Sequence, residues 1–370
     1  MVRVRLETRP TPSSTMAMIT PLIALAATIV LGTLLFVVLG TDPGKALSMF
    51  FVEPLKNAAG WSELAVKATP LALVALGLSV CYRSNVWNIG AEGQYILGAI
   101  FASGVSLHAT EETSGLYVVL VLLAGVAGGM LWSGIVAFLR DRFHANEILV
   151  SLMLVYVAEM LLGYLVYGPW KDPEGFNFPQ TISFASGAGL PAMISGYRVH
   201  WGAPLALAIV VLAWLFIFHT FAGFRLLVVG MAPAAARYAG FSTRKSLWIA
   251  LLISGGLAGL AGALEIAGPL DQLTPYVPVG YGFAAIIVAF VGRLHPIGVV
   301  FSALLMSLFY IGGELAQSRL GLPKAISSVF QGILLFTLLA ADTLVNHKLR
   351  LIRTAPPVIA PPLAAKGAAE

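Results

Sequence analysis

From Met16 to Leu39 the chain runs for 24 residues without a charged side chain, more than the roughly 20 apolar residues a helix needs to cross a bilayer. Similar stretches recur as far as Ala341. They bring the hydrophobic fraction to 58% and leave charged residues at 11%. Soluble domains run near half apolar and about a quarter charged, so no soluble core hides this much apolar surface. The solvent for most of the chain is lipid, where helices satisfy their own backbone groups. The fold class expected is an all-α polytopic membrane protein.

Counting apolar segments gives about ten transmembrane helices, over residues 16–39, 63–80, 89–107, 115–139, 148–167, 202–221, 247–267, 281–291, 297–311 and 325–341, within a membrane domain spanning 16–345. Arg3, Arg5 and Arg9 precede the first run, as in a signal peptide. That run exceeds an h-region of about 7–15 residues, however, and no small-x-small cleavage site follows it. Residues 1–15 and 346–370 read as cytoplasmic tails, 41–62 and 168–201 as external loops, and 223–246 as a cytoplasmic segment. This topology assigns 15 of the 22 Lys and Arg to the inside, in keeping with the positive-inside bias. Ten helices divide into two fives, and because five is odd the second half crosses in the opposite sense. Two inverted five-helix repeats are therefore expected, an arrangement whose substrate paths lie between the halves and use interrupted helices.

Glycine interrupts the third segment of each half, at Gly90, Gly93 and Gly98 in one and at Gly280, Gly282 and Gly292 in the other. In the first, Asn88-Ile89-Gly90-Ala91-Glu92-Gly93-Gln94 sets a carboxylate and two amides at the mouth of an apolar run. Glu92 costs about 2.5–3.5 kcal/mol if it sits near mid-bilayer. Non-helical backbone at that depth is tolerated only where it faces protein or water. Asn88, Gly90, Glu92, Gly93, Gln94 and Gly282 are thus the candidate residues of a translocation path. The alternative for the glycines is close helix packing, as expected for Gly255, Gly259 and Gly262; for the polar side chains it is capping of a broken helix.

Within 223–246, Pro233 suits the first turn of a helix, the following alanines propagate it and Gly240 can close it. A helix of about two turns would present Arg237 and Tyr238. With small residues and few charges, it suits a groove on another protein better than lipid headgroups.

Cys81 is the single cysteine, which excludes an internal disulfide and a thiolate cluster. His108, His144, His200, His219 and His295 lack the spacing of a metal or acid–base site, and Gly44-Lys45 lacks the leading glycine and hydroxyl residue of a phosphate loop. No enzyme and no metal site are expected. The net charge of +5 is read as membrane topology, not as nucleic-acid binding.

Trp87–Gln94, the Gly230–Gly240 stretch and the Gly280–Gly292 segment with its following Pro296 resemble the permease subunits of bacterial ATP-binding-cassette importers of the ribose and branched-chain amino-acid type. The similarity runs from the second helix to the tenth and is strongest to the subgroup that imports nucleosides or simple sugars. That family's cytoplasmic segment usually reads Gly-x-Asn-Pro, whereas here Ala232 stands at the Asn position. The resemblance implies a permease in the bacterial inner membrane that pairs with a second permease subunit to form one path. Separate ATPase subunits would bind ATP and dock at Pro233, Arg237, Tyr238 and Gly240, and a periplasmic or lipoprotein binding protein would meet the external loops. The chain itself would hold no cofactor.

The alternative is a proton-coupled secondary transporter of a small polar metabolite, since Glu92, Glu159 and Glu265 lie in or near membrane segments and carboxylates serve as proton relays there. That reading leaves the 233–240 helix without a purpose.

Overall fold

The computed structural model describes residues 2–8 and 13–353; the remainder of both expected tails lies outside the described residues. In chain order the elements are strand β1 (Val2–Thr8), helices α1 (Ser14–Val38), α2 (Pro43–Phe51), α3 (Ala58–Arg83), α4 (Ala91–Ser106), α5 (Tyr117–Phe143), α6 (Glu147–Tyr167), α7 (Gly202–His219), α8 (Phe221–Met231), α9 (Pro233–Tyr238), α10 (Thr243–Glu265), α11 (Tyr281–Val291), α12 (Pro296–Leu320) and α13 (Ala325–Asn346), and strand β2 (His347–Arg353). They divide into two units, Leu31–Gly332 and the pair Met1–Val30 with Ile333–Glu370.

Eight helices among the described residues are long and apolar enough to cross a membrane: α1, α3, α5, α6, α7, α10, α12 and α13. The other two expected segments are helical but short. α4 has 16 residues and α11 has 11, which makes them about 24 and 16 Å long against a hydrocarbon core of about 30 Å.

The larger unit is organised around α3, α4, α10 and α11. Every residue of α3 from Ala68 to Tyr82 is buried, as a helix apolar on all sides requires. α5, α6 and α7 instead turn large apolar side chains outward, among them Leu120, Leu123 and Leu131, Met153 and Met160, and Leu207, Val211 and Leu212. These suit contact with lipid. α10 lies against both α4 and α5 at backbone distance, because Gly259 faces the backbone of Gly125 and Gly129 on one side and Gly98 on the other, leaving no room for a Cβ.

Three expectations need correction. Residues 41–62 are not simply an external loop. They contain α2, started by Pro43 and by Asp42, whose side chain accepts from the N–H groups of Gly44 and Lys45. Phe50 of α2 is buried and stacks on Phe330 with ring centroids 4.8 Å apart. A nine-residue helix with a single apolar stripe lies below what a membrane-length hydropathy window detects. Next, α12 continues past residue 311 to Leu320 and ends at Gly321, φ +65°. Its last turns carry Glu314, which pairs with Lys67 at 2.9 Å, so charge stops the apolar pattern before the helix stops. Finally, 223–246 holds α8 as well as a surface helix; Thr220 leaves helical geometry at φ −114° and ψ 149° and caps α8 through Gly223.

The expected external stretch 168–201 has one 3-10 turn, Ser186–Ala188. It is pinned to the chain after α10 by backbone bonds from Leu190 N–H to Ala267 O (2.6 Å), Phe184 N–H to Asp271 O (2.8 Å) and Thr181 N–H to Leu273 O (3.0 Å).

In the smaller unit, Thr28 and Thr337 share a side-chain hydrogen bond of 3.1 Å and Ser13 N–H donates to Val345 O at 3.1 Å. The first turn of α1 therefore sits beside the last turn of α13. Strand β1 pairs antiparallel with β2, from Val2 opposite Arg353 to Thr8 opposite His347. The segments expected as tails thus include two strands that lie side by side.

Candidate functional site

α3 ends at Ser84, and Asn85 turns the chain at φ +56°. The extended residues up to Gly90 then enter the bundle before α4 begins. Asn88 is fully buried. Its amide Nδ2 donates to Gln94 Oε1 (2.9 Å) and to Ser254 Oγ of α10 (3.0 Å), and Gln94 Nε2 donates back to Asn88 Oδ1 (3.0 Å). Gly90 N–H also donates to Asn88 Oδ1, at 3.2 Å, and Ile89 N–H donates to Ser151 Oγ of α6 at 3.3 Å. Backbone that has left helical geometry thus finds side-chain partners, as buried polar groups must.

Glu92 stands in the first turn of α4 and is 1% exposed. Its carboxylate reaches the start of α11, accepting from Gly280 N–H at 2.9 Å and from Gly282 N–H. Gly280 is the N-cap of α11 at φ +83° and brings no side chain that could cap the helix itself. One carboxylate therefore serves the free N–H groups of a second helix and lies at the N-termini of two helices. Each terminus carries about half a positive charge, and hydrogen bonds to a charged acceptor are worth about 1.5–3 kcal/mol each. Gly282 packs directly on the backbone of Ala91 and Glu92, where a Cβ would collide.

The six expected path residues are thus brought together, with Asn88, Glu92 and Gln94 turned into the protein and hydrogen-bonded there. Gly90, the N-cap of α4, and Gly93 in its first turn pack against the backbone of α6 at Ser151 and Val155. Sequence reasoning missed Ser254 and Ser151, because a serine inside an apolar helix carries no pattern of its own and bonds its helix backbone as readily as a neighbour.

Beside the turn that ends α3, where Pro233 shares a cleft with Ser84, Asn85 and Val86, α9 follows the expectation closely. Pro233 occupies the first turn, Gly240 follows at φ +80°, and Arg237 Nε donates to Pro233 O at 3.4 Å. Tyr238 is 98% exposed. Ala232 at the N-cap makes no side-chain cap bond. Beside α9 opens a polar cleft of about 430 Å³ whose lining includes Arg140, Asp141, His144, Pro233 and Arg244. Arg244 pairs with Asp141 at 2.7 Å and Arg140 with Glu147 at 2.9 Å. The segments following α5 and α8, both expected inside, thus meet on one face.

A bundle of membrane-length helices enclosing two short helices that begin at a buried polar centre, with an exposed helix at one end, is the build of a polytopic membrane transport protein. The chain belongs to the family described as branched-chain amino acid transport system / permease component, which matches residues 60–339. It is a permease and not an enzyme. It is 33% identical over 92% of each chain to the glucose ABC transporter permease protein TsgB13 of Haloferax volcanii. It is 30% identical to the guanosine ABC transporter permease protein NupP of Bacillus subtilis, over 86% of this chain and 92% of that one. With the nucleoside ABC transporter permease protein NupB of Lactococcus lactis the identity is 26%, over 88% and 91% of the two chains.

Proposed function

We propose that this chain is the transmembrane permease subunit of an ATP-binding-cassette importer, forming the translocation path for a nucleoside or simple sugar. The observation that carries the reading is the similarity, over 86–92% of this chain, to permeases named for glucose, guanosine and nucleosides. It joins the short, exposed helix α9. Separate ATPase subunits bind ATP and seat on α9 through Pro233, Arg237, Tyr238 and Gly240. A binding protein delivers cargo to the loops at the opposite end, and a second permease subunit completes the path. The protein sits in the inner membrane among its lipids with both termini in the cytoplasm, and the pairing of β1 with β2 supports an even number of crossings.

In this reading all ten segments count, arranged as two inverted repeats of α1, α3, α4, α5, α6 and α7, α10, α11, α12, α13. The short helices α4 and α11 occupy the third place in each repeat and begin at the same buried centre. That is the relationship expected of broken helices in inverted-repeat transporters. Asn88, Gly90, Glu92, Gly93, Gln94 and Gly282 then form the framework of the path: they hold unwound backbone open behind its wall.

The test is uptake of radiolabelled guanosine, uridine and glucose into cells making this chain with its ATPase and binding protein, beside an ATPase variant unable to hydrolyse ATP. Uptake is expected to vanish in that variant and to survive collapse of the proton gradient at constant ATP. Uptake indifferent to the ATPase and abolished by an uncoupler would establish the proton-coupled alternative instead.

A further inference from the structure

Glu159 takes no part in the amide cluster or in the capping of α11. It lies on α6 twelve residues from Glu147 and eight from Tyr167, about 18 and 12 Å from the two ends. Its carboxylate makes no hydrogen bond or ion pair among the described residues. An unpaired carboxylate at that depth is strongly disfavoured against lipid and marks a water-filled or ligand-lined surface. It opens on a polar cavity of about 260 Å³ lined by Glu159, Leu162, Gly163, Pro275 and Pro278. The space beside Gly163 is open, since a Cβ there would meet nothing within 4 Å.

The opposite wall, Pro275 and Pro278, belongs to the segment that ends at Gly280, whose N–H is held by Glu92. A carboxylate acceptor beside an apolar wall of Leu162, Pro275 and Pro278 suits a sugar ring. Hydroxyls donate to the carboxylate while the apolar face of the ring packs on that wall.

We propose that Glu159 is a cargo-contact residue whose carboxylate accepts hydrogen bonds from vicinal hydroxyls of a ribose or hexose in this cavity. The proposal rests on the importer reading and adds which side chain meets the cargo and which cargo atoms it meets.

The complete complex, with ATPase and binding protein, is reconstituted in liposomes as wild type, Glu159→Gln and Glu159→Leu. Uptake at saturating concentration is measured for guanosine against 2′,3′-dideoxyguanosine and for glucose against 2-deoxyglucose. The binding protein is common to all three, so its own preference cancels between variants. Glu159→Leu is expected to slow the fully hydroxylated cargo about tenfold, the scale of a lost charged hydrogen bond, and the deoxy cargo less than about twofold. Glu159→Gln should fall between, with subunit assembly unchanged. Equal loss for both cargoes, no loss for either, or dissociation of the permease pair would overturn the proposal in favour of a water-lining, idle or subunit-interface residue. Failure of the importer reading shows separately, as wild-type uptake that ignores an ATPase unable to hydrolyse ATP; the ratio between cargoes still judges Glu159 in that event.

Discussion

Glu92 and Gly282 constrain each other through contacts of opposite kind. The N–H of Gly282 donates to the carboxylate, and the missing side chain of Gly282 makes room for the Glu92 backbone. Glu92→Ala leaves two N–H groups of α11 without an acceptor and is expected to destabilise the protein by about 2–4 kcal/mol, whereas Glu92→Gln, which keeps one acceptor, costs about 1–2 kcal/mol. Gly282→Ala forces the two backbones apart, at about 1–3 kcal/mol. Residues in contact couple, so the Glu92→Ala/Gly282→Ala double variant should lose less than the two singles added. Urea or thermal unfolding in detergent measures each; strict additivity would mean the two sites are independent.

The reciprocal bonds between Asn88 and Gln94 make an equally specific prediction. Asn88→Asp removes the donor that serves both Gln94 and Ser254 and sets a carboxylate oxygen against the Gln94 carbonyl oxygen. A loss of about 2–3 kcal/mol follows from burying groups without partners. Asn88→Ala with Gln94→Ala, which removes both ends of the pair, should cost less than the sum of the single changes. Matching losses in single and double variants, read from midpoints of unfolding, would support the pair; a simple sum would not.

On α9 stability and function separate. Tyr238→Ala alters a side chain that is 98% exposed and should change stability by less than about 0.5 kcal/mol. It is nevertheless expected to lower ATPase binding and uptake several-fold if α9 is the docking helix. Ala232→Asn supplies the missing N-cap and should stabilise the helix by about 0.5–1 kcal/mol. Co-purification of the ATPase with each variant gives the answer. Full uptake with Tyr238→Ala would remove this residue from the contact.

His200 provides a pH signature on the 168–201 loop. Burial, with Arg198 nearby, pushes its pKa down from the usual 6.5 to about 4, and its Nδ1 accepts from Gly202 N–H at the start of α7, 3.1 Å away. The folded pKa lies below the unfolded one, so the unfolded chain takes up the proton first as pH falls. Stability from this residue is complete above about pH 6.5, declines between 6.5 and 4, and is gone below. His200→Asn keeps an acceptor and does not titrate. Its apparent melting temperature should therefore fall less than that of the wild type between pH 7.5 and 4.5. Parallel curves would show that His200 is not the titrating group.

Much of the architecture was legible in sequence because lipid imposes a simple rule: a run of apolar residues long enough to cross must be a helix. The bounds of α11 were readable as Tyr281–Val291, since glycine flanks an apolar block on both sides. Pro233 and Gly240 marked α9, as local backbone preferences act within a single turn. The weight of Asn88–Gln94 was visible too, because polar groups in an apolar chain must be compensated. What compensates them was not. Gly282 lies 190 residues from Glu92 and Ser254 lies 166 from Asn88, and only the packing of α10 and α11 against α4 decides that they meet. Hydropathy likewise passed over α2, whose apolar stripe finds its place against Phe36, Phe309 and Phe330. Sequence by itself determined where the chain is helical and where it breaks. Tertiary structure decided which broken end answers which side chain, because partners for buried backbone groups are chosen by proximity in space, and periodicity along the chain does not encode it.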